Sequence, residues 1–355
     1  MKSHKRMLKV LLLIVGVIVG AAAYKHFVIS APTEIAKHSS TVQNIEPNGK
    51  VIILTHSEQT NSVTHELAVY FKERLEHLSN GELHVSIYGE NTLGSLNDGI
   101  NGISNGTFEM RLGMGPSRIM RVITWLPSIL GTSSQVIDQA LANNEQLKAM
   151  IEAENNADGV YLLGMMPSRY RILTSNKPVE TLADLKGMKI RTINDGIESD
   201  FWRCLGAEPS AFNIEQVYMA LKQGIVEAQE NTIPSIVSNK IYECQTNVIR
   251  TNHKVYFDSF YINLDYYNAL SDTERMWIAS AVSDAIDFGR DKLKDYEREG
   301  LETIIESGVE VSSISDVEKQ KMIDIASPLL VKSFEDADGE ALVNDVITLF
   351  RDEMN

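Results

Sequence analysis

The sequence predicts an α/β protein with room for two domains. Three observations carry this. The chain has 355 residues, which suits two domains or one large α/β unit. Strand, helix, strand, helix and strand patterns follow one another from residue 51 to 114, the signature of a parallel sheet joined by crossover helices. A helical stretch opens at Ser271 and can reach about residue 307, long enough at ~1.5 Å per residue to span two lobes. The composition, 43% hydrophobic and 23% charged, is that of a globular chain and confines disorder to a short linker.

The elements follow in order. MKSHKRMLK supplies Lys2, Lys5, Arg6 and Lys9 with no acid, and VLLLIVGVIVGAAA is an apolar run ending in Ala21-Ala22-Ala23. Residues 1–23 are therefore expected to be a cleaved signal peptide or an uncleaved N-terminal anchor. Residues 24–49, polar with Pro32, Pro47 and Gly49, are expected to be a linker. Strands are expected at 51–56, 83–89 and 108–114, with helices over 65–79 and from Leu93 to Gly106. A helix is expected at about 136–154 and strands at 161–167 and 171–176. LADLKG gives a short helix, MKIRTI a strand at 188–193, and further helices fall at about 196–205 and 214–223. Residues 254–267 are rich in strand formers. Ser271 with Glu274 is a capping box that starts the long helix.

The formal charge is −15, and the basic residues of the first 23 would leave the remainder more acidic still. That argues against nucleic acid or an anionic membrane surface as a partner. It leaves room for a small anion, because one arginine at contact range outweighs a screened distant field. The two cysteines, Cys204 and Cys244, read as separate small hydrophobes, with no CxxC motif. His65-Glu66 lacks the second histidine of a zinc helix, and GMGPSR at 113–118 lacks the third glycine of a dinucleotide loop. There is no nucleophile elbow and no P-loop. His253 has no neighbour in sequence to act with as a base. No catalytic constellation, metal site or cofactor is expected.

Two arginines stand out. Arg191 interrupts the apolar strand MKIRTI near its C-terminal end, where ligands of open α/β sheets sit. Arg171 opens RILTSN at a similar boundary. A buried arginine requires an anion, either a ligand or one of the chain's 48 acids. In IEQVYMALKQGIVEAQEN, Ile214, Val217, Tyr218 and Leu221 make one helical face, and Gly224 stops the helix. Ile225-Val226 would then be a buried strand, with Gln229, Glu230 and Asn231 at its exit toward the ligand. Asn231 can donate and accept, and suits completing the hydrogen bonds of a carboxylate. Glu227 and Glu230 would be solvated or would orient other groups.

LKGMKIRT, LGAEPSAFNIEQVYMALKQGIVEAQENTIPSI, KIYECQ and TNHKVY resemble the substrate-binding subunits of tripartite ATP-independent periplasmic (TRAP) transporters of the dicarboxylate-binding type. The resemblance runs from about residue 51 to beyond 300 and is most specific over 185–253. It implies a two-lobed periplasmic solute-binding fold with a long helix spanning both lobes. It places lobe 1 at 50–168, lobe 2 at 169–260, and a C-terminal helical region at 261–355 that spans the lobes and returns to lobe 1. It implies that Arg191 pairs with a ligand carboxylate, that Arg171 contacts it too, and that Asn231 binds the same group. Tyr218 matches a tyrosine with an architectural part, and Phe212 or Ile214 would wall the pocket. Trp125, Tyr170 and Trp202 are further candidate pocket aromatics. Met114 stands where sialic-acid-binding relatives have an acid, which disfavours sialic acid. The implied protein is a periplasmic monomer and not an enzyme. It would close on a small organic acid and deliver it to membrane permease subunits. The alternatives are a binding protein for a sensor or an ATP-driven transporter, or an exported α/β enzyme.

Overall fold

The computed structural model describes residues 49–167, 169–193, 196–334 and 340–354. The expected signal peptide or anchor, and all but the last residue of the expected linker, lie outside them. Two mixed sheets organise the chain. The first takes β1 (Lys50–Thr55), β2 (Leu83–Tyr88), β3 (Met110–Gly113), β4 (Val160–Met165) and β10 (Ser259–Asn263), in the order β2-β1-β3-β10-β4. The second takes β5 (Arg169–Ser175), β6 (Lys189–Thr192), β7 (Glu208–Ala211), β8 (Ala228–Asn231), β9 (Asn247–Tyr256) and β11 (Glu310–Ser313), in the order β11-β9-β5-β8-β6-β7.

The expected parallel core is present: β1 runs parallel to β2 and β3, and β6 parallel to β7 and β8. The sheets are nonetheless mixed, because β10 runs antiparallel to β3 and β4, and β5 antiparallel to β8 and β9. These antiparallel strands are the ones adjoining the two short crossings between the sheets, at Met166–Pro167 and Phe257–Asp258; a later, long connection carries the chain to β11, which pairs parallel with β9. Asp258 ties the short crossings together. It accepts Met166 N–H at its carbonyl (2.8 Å), Arg169 Nη2 at a carboxylate oxygen (2.7 Å) and Thr64 Oγ1 at both (3.0 Å).

Helix α1 (Val63–Leu78) is capped by Ser62 and buries Val63, Leu67, Phe71 and Leu75 against the first sheet. Helix α2 (Leu96–Ser104) opens on a Ser95–Asp98 capping box. Helix α3 (Arg118–Leu130) was not foreseen, although Arg118, Arg121, Thr124 and Ser128 recur at helical spacing; Pro127 in its last turn speaks against a helix. Its Trp125 and Leu126 are fully covered because it packs on β9 of the second sheet and is covered in turn by later helices. The single helix expected over 136–154 is two, α4 (Ser134–Asn143) and α5 (Glu145–Ala157), because Asn144 leaves the helical region and caps the second.

Helices α6 (Gly196–Cys204), α7 (Val217–Lys222) and α8 (Ile233–Ser238) belong to the second sheet, and α9 (Leu264–Ala269) follows β10. Helix α10 (Asp272–Glu306) has the expected capping box at Ser271 and Glu274, and its 35 residues extend for about 50 Å. It packs on α1 beside the first sheet and on α8 beside the second. The second contact needs Gly300, where a Cβ would lie 2.8 Å from Ile233 Cγ2. Helices α11 (Asp316–Phe334) and α12 (Glu340–Glu353) pack on α3, with α11 also on α6. With β11 in the second sheet, the C-terminal segment after α10 joins that body, where the expectation was a return to the first lobe. What those helices cover is the surface of α3 turned away from β9.

Cys204 and Cys244 are both free and sit in different apolar clusters. No helix among the described residues is long and apolar enough to cross a membrane.

Candidate functional site

A cleft with about 640 Å³ of space, open solvent at its mouth included, lies between the two sheets. The first-sheet side contributes Ser57 and Glu58 after β1, Asn91 after β2, Ser95 to Asn97 at the start of α2, and Met114 after β3. The second-sheet side contributes Arg171, Arg191, Ile193, Asn213, Ile214, Asn231 and Tyr256. Most of these residues stand at or just beyond the carboxyl ends of parallel strands, where backbone leaves the sheet and side chains are free to converge.

Four of the six candidate ligand residues line this cleft: Arg171, Arg191, Asn231 and Ile214. The two arginines differ in kind. Arg171 is committed to Glu230, with Nε–Oε2 at 2.5 Å and Nη2–Oε1 at 2.8 Å, a bidentate pair with both partners buried. Burial alone would raise the Glu230 carboxyl, but Arg171 and His253 more than offset it and hold it well below the usual carboxylate range. His253 is buried between Thr251 and Glu230, and burial lowers its pKa, so it cannot serve as an exposed base.

Arg191 has no carboxylate bonded to it among the described residues. It is 1% exposed; Nε donates to the carbonyl of Phe212 (2.9 Å), and Nη1 is buried without an acceptor among the described residues. Burial brings its pKa down to about 10, partly countered by Glu230. The group stays cationic at neutral pH, since even that value is well above 7.

Asn231 accepts Thr232 N–H at its carboxamide oxygen (2.9 Å), which leaves its NH2 group to offer to a guest. Its neighbours answer what the polar run behind α7 does. Gln229 donates to Thr174, Glu230 holds Arg171, and Glu227 pairs with Lys177 near the surface. The strand itself starts later than expected. Ile225 is 58% exposed, because Gly224 (φ 70°) and Ile225 are used to close α7. Gly224 N–H bonds to Leu221 and Ile225 N–H to Ala220, a Schellman turn.

Two candidates do not line the cleft. Phe212 acts through its carbonyl on Arg191 while its ring packs into the second-sheet core. Tyr218 donates to Glu243 (2.9 Å) away from the cleft. The aromatics Trp125 and Trp202 are wholly buried in the core, and Tyr170 accepts Ser134 N–H through its hydroxyl. Tyr256 is the aromatic that lines the cleft, and sequence reasoning missed it.

Glu58 and Arg111 were missed too. Arg111 is buried, donates from Nη2 to Ser57 Oγ (3.1 Å) and from Nε to the carbonyl of Met114 (2.8 Å), and so fixes two cleft loops. Burial lowers it to about 10. The signal that could have found Glu58 is its place just past the first parallel strand.

The model of bacterial extracellular solute-binding protein, family 7 (DctP), matches residues 54–337. The chain belongs to that family. Family 7 relatives include the 2,3-diketo-L-gulonate-binding periplasmic protein YiaO of Escherichia coli (strain K12). It is 27% identical over 76% of this chain and 81% of its own length. The ectoine-binding periplasmic protein TeaA of Halomonas elongata is 27% identical over 80% and 84%. Among solved structures, a TRAP periplasmic solute-binding protein from Roseobacter denitrificans with bound beta-D-glucuronate has a TM-score of 0.77 at 23% identity. That match covers 85% of this chain and 99% of the other. The two-sheet architecture described above is the two-lobed fold of these family 7 proteins.

Proposed function

We propose that this family 7 protein captures a small organic acid between its two sheets and delivers it to the membrane permease of a TRAP transporter. The observation that carries the reading is Arg191: a buried guanidinium in a cleft, with one nitrogen held by the Phe212 carbonyl and another without an acceptor among the described residues. Such a donor is costly to leave unmet, and a ligand carboxylate would meet it with a planar, charge-assisted pair. Asn231 would complete the carboxylate from the side, and Arg171, neutralised by Glu230, would add hydrogen-bond geometry without net charge. Ile214 would cover the ligand, Phe212 would position Arg191, and Tyr218 would stay architectural.

The body around the first sheet and the body around the second act as the lobes, closing about the Met166–Pro167 and Phe257–Asp258 crossings. Closure removes water and strengthens the ion pair. The relatives named for 2,3-diketo-L-gulonate, and the structures bound to glucuronate or galacturonate, support an acid as the cargo. The N-terminal basic and apolar run supports export, with residues 1–23 as signal peptide or anchor, and periplasmic residence of the rest. Binding without catalysis fits a cleft beside which His253 is buried and engaged by Glu230 and Thr251.

The test is calorimetric titration with a panel of carboxylic acids. Arg191→Ala is expected to weaken the best acid by about 2–5 kcal/mol, roughly 30-fold or more. Arg191→Lys is expected to be nearly as poor, because an ammonium cannot supply the planar fork. Affinity in Arg191→Ala within a few-fold of the parent would sink the assignment.

A further inference from the structure

We propose that the chain carries a second anion site, separate from the acid cleft: a cavity beside β1, β3 and α2 in which Arg111 and Thr55 bind one small inorganic anion of the chloride type.

A buried charge is the starting point. Arg111 is covered, and its two hydrogen bonds go to neutral oxygens, from Nη2 to Ser57 Oγ (3.1 Å) and from Nε to the Met114 carbonyl (2.8 Å). The buried Arg169 and Arg171 each hold a carboxylate, Asp258 and Glu230. No carboxylate is bonded to Arg111 among the described residues. Burial lowers its pKa to about 10, and the groups that counter this, the phenols of Tyr256 and Tyr261, are uncharged at neutral pH. The guanidinium is therefore a desolvated cation, which is costly without a counter-charge. It does not line the acid cleft, so a guest beside Arg191 leaves it unmatched.

A second observation points to the same place. Thr55 ends β1 and stands directly opposite Arg111 in the β1–β3 pair. Residues in register present their side chains to one face of a sheet. Thr55 is 5% exposed, and its hydroxyl has no hydrogen-bond partner among the described residues. Thr55 and Arg111 both line a cavity with about 200 Å³ of space, open solvent at its mouth included. Gly99 of α2 lines it too, and a Cβ there would collide with Arg111 Nη1, so the glycine gives that nitrogen its place. Leu93 and Phe108 add apolar wall, and no acid lines the cavity. His56 borders it as a neutral ring, since burial lowers its pKa to about 4.

These groups define the guest. A water molecule could take the donors but would leave the charge unanswered. A sulfate or phosphate would bring more oxygens than there are donors to meet them. A single halide accepts from guanidinium and hydroxyl together and tolerates apolar walls on its other sides. Bound there, it would steady Arg111, and through it Ser57 and Met114, which line the acid cleft.

The test uses chloride and bromide as probes. The chloride NMR line of the full-length chain is expected to show saturable broadening that bromide competes away. Thr55→Val keeps the shape of the side chain and removes the hydroxyl. It is expected to weaken chloride roughly tenfold or more, the range for a hydrogen bond to a charged group. Arg111→Met should abolish the broadening. In crystals grown in sodium bromide, anomalous scattering should place one bromide within hydrogen-bond distance of the Arg111 guanidinium and Thr55 Oγ1. A water in that place at saturating bromide would overturn the inference. So would a bromide peak with no saturable signal in solution, or broadening unchanged in Thr55→Val. Arg111 also fixes two loops, so Arg111→Met can misfold; Thr55→Val and crystals of the unaltered chain decide the matter without it. The acid titrations of the Arg191 variants are independent of each of these outcomes.

Discussion

Two buried arginines one strand apart have opposite prospects, and the difference lies in a single neighbour. Arg171 meets Glu230 in a bidentate pair, and Arg191 meets only a carbonyl. A histidine near the same cleft gives a second prediction at this scale. His56 is 1% exposed and bonds to His65 through Nε2 (3.0 Å). Burial, reinforced by His65, lowers its pKa to about 4. The fold therefore holds the neutral ring, while the unfolded chain takes up a proton at an ordinary value of about 6.5. The stability from this difference is complete above pH 6.5 and is lost as the pH falls toward 4, a total of about 3 kcal/mol. Denaturant unfolding at several pH values is expected to show that extra loss in the parent and not in His56→Gln. Parallel curves would refute the assignment.

Among the elements, the two short crossings between sheets carry the most consequence. The Asp258 carboxylate joins α1 through Thr64 and β5 through Arg169, and the Asp258 carbonyl joins the other crossing through Met166. Asp258→Asn would leave Arg169 buried without a counter-ion. The expected cost is about 3–5 kcal/mol in denaturant unfolding, the range for breaking one side of a buried pair. A cost below about 1 kcal/mol would mean that the crossing relaxes around the charge. The same scale shows why some elements were legible and others were not. β1, α1, β2 and the start of α10 announce themselves by period and cap, because local chemistry decides them. Helix α3 was passed over because Pro127 interrupts it, although its polar residues keep a helical spacing, and β8 starts three residues late because the Schellman turn uses Gly224 and Ile225 before pairing begins.

At the scale of the molecule, the cleft is bridged by hydrogen bonds from side chains of one lobe to groups of the other. Asn91 Nδ2 donates to Glu215 (2.7 Å), Ser235 Oγ to Glu58 (3.2 Å) and Asn61 Nδ2 to the Ser238 carbonyl (3.4 Å). Contacts that hold the two sides together favour whichever arrangement keeps them, so they are expected to bias an open–closed equilibrium as a ligand does. Glu215→Ala removes one bridge, together with one of the acids that act on Arg191. Affinity for the acid is expected to fall roughly two- to fivefold, in line with about 0.5–1 kcal/mol for an exposed bond to a charged group, mostly through faster release. Stopped-flow release rates check this; an unchanged rate would show that the bridge contributes nothing to closure.

The division of labour between sequence and fold follows from range. By itself the sequence determined the α/β class, the long helix from its capping box to residue 306, and Arg191 and Asn231 as residues at strand exits. Each depends on neighbours within a few positions, on period, or on the rule that cleft residues lie past strand ends. The tertiary structure alone decided that Arg171 is spoken for, since its partner Glu230 is 59 residues away. It alone brought Glu58, Asn91 and Tyr256 to the cleft of Arg191, and sent the last two helices to cover α3. Those outcomes depend on which surfaces meet when two sheets and a 35-residue helix pack together, and a charge or an apolar ridge finds its partner only then.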